Sequence, residues 1–455
     1  MKINNPATGE LLHQLPEDST ASIHSKYQKL RSGQLLWASS PLDERVAIIR
    51  RFSEELQRNA DQLAIILTNE VGKPLQQSKN ELNGARARIK WLADNAAKYL
   101  SVEVMNSEPG LEERIAYEPL GVIGNISAWN YPYLVGVNVF VPALLAGNTV
   151  LYKPSEFATL TGLEIAKALH MSGVPENAFQ VAIGAREAGE AMLDLPLDGY
   201  FFTGSYKTGK YIYERVAHKM VPCQCELGGK DPLYVADDIA DVKSVAAATA
   251  DGAFYNNGQS CCAVERIYVH EKVYDRYVEE FVKEVKTYKT GGPLEPGVYI
   301  GPLTRPSQVE VLAAQVNEAV MKGAKVLTGG KKSGRKGYYF EPTVLTNVNH
   351  DMNIMREESF GPVIGIMKVR NDDEAIRLMS DSEYGLTASV YSADKGRAER
   401  ILARVDAGTG YWNCCDRVSA AVPWSGRKHS GFGSTLSHTG LRAFTRPKAY
   451  QMKEG

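Results

Sequence analysis

The chain has 455 residues, more than one ordinary core holds and enough for two or three domains. Hydrophobic residues make up 44% and charged residues 23%, the balance of a soluble globular protein. With 52 basic against 53 acidic residues the net charge is −1, which leaves no electrostatic case for a nucleic-acid or anionic-membrane partner.

Met1 to Glu10 carries no apolar run of the signal-peptide kind. Ser40-Pro41-Leu42-Asp43-Glu44 reads as a helix start, with a Ser cap, Pro in the first turn and acids at the positive end of the dipole. Ile49, Phe52 and Leu56 then share a face, and Gly72 and Pro74 mark the stop. A second helical region covers Glu81 to Leu100. Ser101 to Ala116 is polar and fits no core. From residue 120 short apolar strands alternate with helices. The strands are Val122–Ile126, Val150–Tyr152, Phe179–Ile183, Gly199–Phe202 and Pro232–Val235. The helices fall near Tyr133–Ala146, Leu160–Met171, Ala188–Leu193 and Lys207–Val216. This spacing predicts a parallel, doubly wound α/β sheet. The longest apolar stretch, Tyr133 to Gly147, is broken by Asn138 and Pro142 and is too short to span a bilayer. A second alternating series runs from Val242 to about residue 429, with no Ser/Gly-rich linker and no internal repeat between the halves.

The six cysteines fall in three close pairs: Cys223 and Cys225, Cys261 and Cys262, Cys414 and Cys415. Such pairs do not make a disulfide framework, and no His/Cys cluster has zinc spacing, so no metal site is expected. A reducing cytoplasm is the expected location.

Two segments carry the chemistry. Cys261 lies in Asn256-Asn257-Gly258-Gln259-Ser260-Cys261-Cys262-Ala263, among small residues that let a carbonyl approach. Glu226 opens the Gly-rich turn Glu226-Leu227-Gly228-Gly229-Lys230. Together they suit an attacking thiolate and a base that later activates water. Taken alone, Cys261 fits a buried core thiol better than a nucleophile, and Glu226 fits a surface acid, although the Gly-Gly that follows makes a mobile turn of it. The three-glycine dinucleotide fingerprint is absent. Phe202-Thr203-Gly204-Ser205-Tyr206-Lys207-Thr208-Gly209 instead opens a helix after a strand, where free N–H groups can meet a pyrophosphate. With Lys210 it nearly spells a triphosphate-binding loop, but Tyr211 stands where Ser or Thr must hold magnesium. Lys153-Pro154-Ser155-Glu156 follows a strand end, where open α/β sheets place ligands or simply a solvated rim. Asn130, between Trp129 and Pro132, reads as a turn residue or as an amide donor.

These segments, with Glu358-Ser359-Phe360-Gly361-Pro362 and Ser430-Gly431-Phe432-Gly433, stand in the order found in the aldehyde dehydrogenase superfamily. The resemblance runs from about Ile3 to Lys448. It implies a Rossmann-like parallel-sheet cofactor domain (1–100 and 120–228), an α/β catalytic domain (229–429) and a small β oligomerisation arm (101–119 and 445–455) that builds a homodimer or homotetramer. It implies Cys261 as nucleophile, Asn130 with the Cys261 N–H as oxyanion donors, and Glu226 as base. Cys262 is expected to be a neighbour without a catalytic role. The cofactor is expected to be NAD by preference, with NADP possible. It would be held by Trp129, Lys153, Ser155, Glu156, Gly204, Ser205, Gly209, Leu227, Gly228, Gln308, Glu358 and Phe360. The small-molecule aldehyde would enter a tunnel lined by Tyr131, Tyr133, Asn138, Val418 and Trp424, which predicts a medium-chain, aromatic or amino aldehyde. Succinate-semialdehyde-using members tend to have Arg at the place of Asn138, so a semialdehyde is the second reading, with Arg417 as a substitute cation. A CoA-acylating relative and a non-catalytic nucleotide-binding protein are further alternatives. Many members carry Lys where this chain has Val139 and Glu where it has Thr435, so a different proton exit is expected.

Overall fold

The computed structural model describes residues 1–454, so Gly455, the last residue of the expected arm, lies outside the described residues. After an N-terminal hairpin come four helices: α1 (Thr20–Ser39), α2 (Leu42–Arg58), α3 (Ala60–Val71) and α4 (Leu75–Leu100). The run expected as one helix from Ser40 is two, because Asn59 leaves helical geometry at φ −106° and ψ 12°. Nor does Ser40 cap α2. It ends the unanticipated helix α1, and its hydroxyl turns back to donate to Leu36 O at 3.3 Å. Gly72 does close α3, in the left-handed region at φ +80°.

Alternation then proceeds through α5 (Pro132–Leu145), α6 (Thr159–Met171), α7 (Arg186–Asp194) and α8 (Tyr206–Val216). Their intervening strands form a six-stranded sheet in the order Gly431–Phe432, Cys223–Glu226, Gly199–Thr203, Val122–Ile126, Thr149–Lys153, Phe179–Val181. All neighbours are parallel except Gly431–Phe432, which returns from far down the chain antiparallel to Cys223–Glu226. α2 to α6 cover one face around Phe52, Ile89, Phe140 and Tyr152. α7 and α8, with Ile23, Tyr27 and Leu30 of α1, cover the other. Burial on both faces is why these strands read as unbroken apolar runs such as Val150-Leu151-Tyr152.

Leu227 to Lys230 carry the chain directly to a second, seven-stranded sheet. Its order is Lys325–Thr328, Thr343–Thr346, Val363–Val369, Val264–His270, Asp231–Val235, Thr387–Tyr391, Thr409–Trp412, parallel but for the first pair. The strand anticipated at Pro232–Val235 therefore belongs to this sheet and not to the first. Leu111–Pro119 pairs antiparallel with both Glu103–Glu108 and Thr445–Lys453 in a separate three-stranded sheet. No helix is long and apolar enough to cross a membrane.

Candidate active site

The two sheets meet where Glu226 ends one strand and Asp231 begins the next. A cavity of about 710 Å³ opens there, with Cys261, Glu226 and Asn130 on its wall. Most of the residues expected to hold a cofactor line it as well: Trp129, Lys153, Ser155, Glu156, Gly204, Ser205, Leu227, Gly228, Gln308, Glu358 and Phe360. Gly209 does not. It sits a turn into α8, where a Cβ would come within 2.4 Å of Leu227 Cδ2, so it is a packing residue.

Cys261 follows a single turn at Tyr255–Gly258 whose Asn256 and Asn257 both take positive φ, 53° and 59°. Side-chain bonds hold this strained turn: Asn256 Nδ2 donates to Gln259 O (3.0 Å) and Asn130 O (3.1 Å), and Asn257 Nδ2 donates to Pro302 O (2.9 Å). Asn130 Nδ2 donates to the same Gln259 carbonyl at 3.1 Å, which fixes the amide beside Cys261 with its second hydrogen free. Among the described residues the Cys261 N–H has no protein acceptor. Two preorganised donors are thus available next to the sulfur.

Beneath them lies a buried ion pair absent from the sequence reading. Lys73 and Glu81 are both fully buried and paired. Lys73 Nζ also donates to Asn130 O at 2.7 Å and sits 3.8 Å from the Tyr131 ring centroid. Glu81 Oε1 accepts from Tyr133 N (2.9 Å) at the N-terminus of α5, where the helix dipole favours a carboxylate. The signal was present, since Glu81 and Arg88 lie on the same α4 face as the buried Ala85 and Leu92.

Glu226 accepts a hydrogen bond from Thr435 Oγ1 at 3.0 Å. Burial raises its carboxyl to about 8, against the bond from Thr435 and the field of Arg88, so it is largely protonated at neutral pH. Thr435 therefore meets the Glu226 carboxyl directly, while Val139 is buried in the first core. Glu358 is likewise pushed up to about 8 by burial and by the nearby Glu265, and its Oε1 accepts from Gly229 N at 3.0 Å. Gly228 makes room for it, since a Cβ there would fall 2.4 Å from Glu358 Oε2. Phe360 packs edge-on to Trp129 at 5.5 Å.

None of the residues expected to line the aldehyde tunnel, Tyr131, Tyr133, Asn138, Val418 and Trp424, stands on this cavity. Trp424 and Cys262 are buried in one small cluster, with Val418 and Cys261 packed on it. Tyr131 is half-buried, but Tyr133 is fully buried in the first core, so it supports the helix and does not line a tunnel. Asn138 is buried and accepts from the guanidinium of Arg88, a cation the sequence reading did not place there. Arg417 is exposed. Cys262 Sγ lies 3.0 Å from Asp416 Oδ1, which also accepts from Ser260 Oγ at 2.9 Å. The Cys261 neighbour and the carboxylate push the Cys262 thiol well up, which disfavours its thiolate. Lys210 pairs with Glu214 on exposed α8 surface, away from the cavity, so the lysine of the triphosphate-like loop is not turned to a ligand there, while Tyr211 lines the cavity and donates to Glu190.

The cavity also contains Arg305, which sequence reasoning missed. It lies over the Trp129 ring at 5.6 Å, donates through Nη2 to Gln308 Oε1 at 2.8 Å and leaves a buried Nε without a partner. Carboxylates at Glu156 and Glu358 for ribose hydroxyls, a glycine-cleared approach and an unpartnered cation for phosphate fit a dinucleotide.

The sequence model of the Aldehyde dehydrogenase family matches residues 1–450. A succinate-semialdehyde dehydrogenase [NADP(+)] of Deinococcus radiodurans is 34% identical over 445 residues, 98% of this chain and 93% of that protein. A chloroplastic aminoaldehyde dehydrogenase of Arabidopsis thaliana is 35% identical over 452 residues, covering 96% and 90%. Among solved structures, a betaine aldehyde dehydrogenase of Staphylococcus aureus in complex with NAD+ superposes with a TM-score of 0.95 at 30% identity, covering 99% of this chain and 91% of that one.

Proposed function

The chain belongs to the aldehyde dehydrogenase family, an NAD(P)-dependent group of enzymes, and from that premise we propose that Cys261, Asn130 and Glu226 carry its oxidation of an aldehyde to the acid. The observation that carries the assignment is the meeting of a cysteine, a tethered amide and a buried carboxylate of raised pKa on one cavity wall.

Cys261 Sγ attacks the aldehyde carbon and forms the carbon–sulfur bond. The displaced electron pair settles on oxygen, where the Asn130 amide and the Cys261 N–H receive it. Trp129, Glu156, Gln308, Glu358 and Phe360 would hold a nicotinamide cofactor, which would supply the two-electron oxidation that converts the Cys261 adduct into a thioester. Glu226 then takes a proton from water, the water oxygen bonds to the acyl carbon, and Sγ leaves as thiolate with release of the carboxylate. A base in this position favours hydrolysis over transfer to a second thiol.

NAD is the proposed preference. Glu156 sits beside Ser155 Oγ at 3.2 Å on the rim, and its charge repels a 2′-phosphate. Six free cysteines suit a reducing compartment, and the cytoplasm is the proposed location. The open edge strand Glu103–Glu108, with Val104 58% and Met105 62% exposed, supports assembly into a homodimer or homotetramer.

The test is Glu226→Gln in single-turnover kinetics. We expect a burst of reduced cofactor of about one equivalent per site and slow turnover afterwards. Steady turnover at the unaltered rate would remove Glu226 from the mechanism.

A further inference from the structure

Behind the reacting end of the cavity lies a buried ion pair that the chemistry proposed above does not use. Lys230 Nζ meets Glu265 Oε2 at 2.6 Å, and both residues are buried. Lys230 closes the glycine turn that begins with Glu226. Glu265 is the second residue of the strand Val264–His270, which follows Cys261. Neither lines the cavity. Both are bonded to one short loop that does. Glu265 Oε2 accepts from Ser359 N at 2.8 Å and its Oε1 accepts from Phe360 N at 2.9 Å, while Lys230 Nζ donates to Ser359 Oγ at 3.1 Å. Ser359 O accepts from Gln308 Nε2 at 2.6 Å, so every polar group of this buried serine is held. Glu358 and Phe360, on either side of it, face the cavity. Phe360 stands at φ +47°, a left-handed conformation that a residue with a side chain keeps only when its surroundings impose it.

The loop touches both halves of the reacting site. Glu358 Oε1 accepts from Gly229 N at 3.0 Å, and a Cβ on Gly229 would fall 2.6 Å from Cys261 O. A Cβ on Gly258, in the turn before Cys261, would fall 2.3 Å from Gly361 O. Glu358 to Gly361 are therefore wedged between the turn that carries the base and the turn that carries the nucleophile. A buried ion pair is a weak source of stability, since an apolar pair of similar volume often does as well. A carboxylate whose two oxygens are both taken by backbone N–H groups and a lysine specifies a position instead. We propose that Glu265, with Lys230 locking its carboxylate, is a positioning residue for the oxidation step. It fixes Glu358 and Phe360 where they hold the reacting end of the cofactor against Cys261, and it serves neither acylation nor hydrolysis. This rests on the oxidation reading above and adds the group that sets its geometry.

Two reactions of the same site separate these roles. Oxidation needs the loop. Hydrolysis of p-nitrophenyl acetate without cofactor does not: Cys261 Sγ bonds to the acyl carbon, p-nitrophenolate leaves, and water activated by Glu226 releases acetate from the thioester. In Glu265→Gln the amide has one acceptor oxygen and sets its NH2 against an N–H donor in either rotamer, so the loop loses its anchor. Single-turnover oxidation is measured with whichever of butanal, benzaldehyde and succinate semialdehyde the unaltered enzyme uses fastest. It should fall by about 100-fold in Glu265→Gln, while ester hydrolysis stays within about twofold and the NAD dissociation constant, from fluorescence titration, rises less than about threefold. Glu265→Asp keeps the charge and both oxygens one methylene back. It should recover about tenfold of the loss, and it carries the same contrast if Glu265→Gln does not fold. Equal losses of oxidation and ester hydrolysis would overturn the proposal, because a pair that only holds the fold together damages both alike. So would oxidation at the unaltered rate in Glu265→Gln. Failure of the unaltered enzyme to oxidise any of the three aldehydes or to hydrolyse the ester would overturn the oxidation reading together with this one.

Discussion

The proposed cofactor wall and the proposed catalytic surroundings of Cys261 are built in different ways. The cofactor wall comes mostly from consecutive strand ends and the turns after them: Trp129 past one strand, Lys153 to Glu156 past the next, Gly204 and Ser205 past a third. Each piece is local, so each appears as a short motif. The surroundings of Cys261 and Glu226 are assembled from α4, α5, the loop at 260–262 and the segment 416–435, which are distant in the chain. Their defining contacts are Lys73 with Glu81 and Asn130, Arg88 with Asn138, and Thr435 with Glu226. Motifs locate a wall of the first kind, whereas one of the second kind is found only by seeing which side chains meet.

If that division holds, damage to the catalytic surroundings should stop chemistry without touching cofactor binding. The largest effect is expected from Cys261→Ala, which should abolish oxidation while cofactor binding, followed by fluorescence quenching, persists; Cys262→Ala should keep most activity. Loss of cofactor binding in Cys261→Ala would show that the two are not separable.

Next in size is Lys73→Met. It leaves the Glu81 carboxylate buried and unpaired, at a cost of about 3–5 kcal/mol by denaturant titration, and it frees the Asn130 loop. A change under about 1 kcal/mol would mean that the Lys73–Glu81 pair adds nothing net to the fold.

Third is the cofactor wall itself. Glu156→Gln should raise kcat/KM with NADP relative to NAD by about tenfold, close to 1.4 kcal/mol. An unchanged ratio would place the 2′-hydroxyl away from this carboxylate.

The smallest effect is expected from Thr435→Val. Glu226 must be ionised to accept a proton from water, and its carboxyl sits at about 8, so thioester hydrolysis should rise as pH climbs through that value. Thr435 stabilises the ionised form by its hydrogen bond, worth about 0.5–1.5 kcal/mol. Its loss should shift the hydrolytic limb upward by up to about one pH unit. A downward shift would show that Thr435 does not donate to the ionised base.

Much of the fold was legible because its signals are short-range. The strand Val122–Ile126 and helices α5 to α8 stand within a residue or two of where apolar runs and turn residues put them. The strand Cys223–Glu226 was not, because Cys-Gln-Cys-Glu has no apolar run and becomes a strand through pairing with Gly199–Thr203 and with Gly431–Phe432. Ser40 was misread because its cap signature is outcompeted by the end of α1. Tyr133 resembles a tunnel residue by position, yet the turn of α5 directs its side chain into the core.

What the sequence alone determined is the reaction: a cysteine among small residues, a carboxylate on a glycine turn and an amide beside Trp129 are chemical types set by residue identity. What only the tertiary structure decided is the electrostatics around them. Whether Glu226 is ionised and whether Lys73 has a partner depend on burial and on neighbours far away in the chain, and a charge acquires its energy from that surrounding rather than from its own position in the sequence.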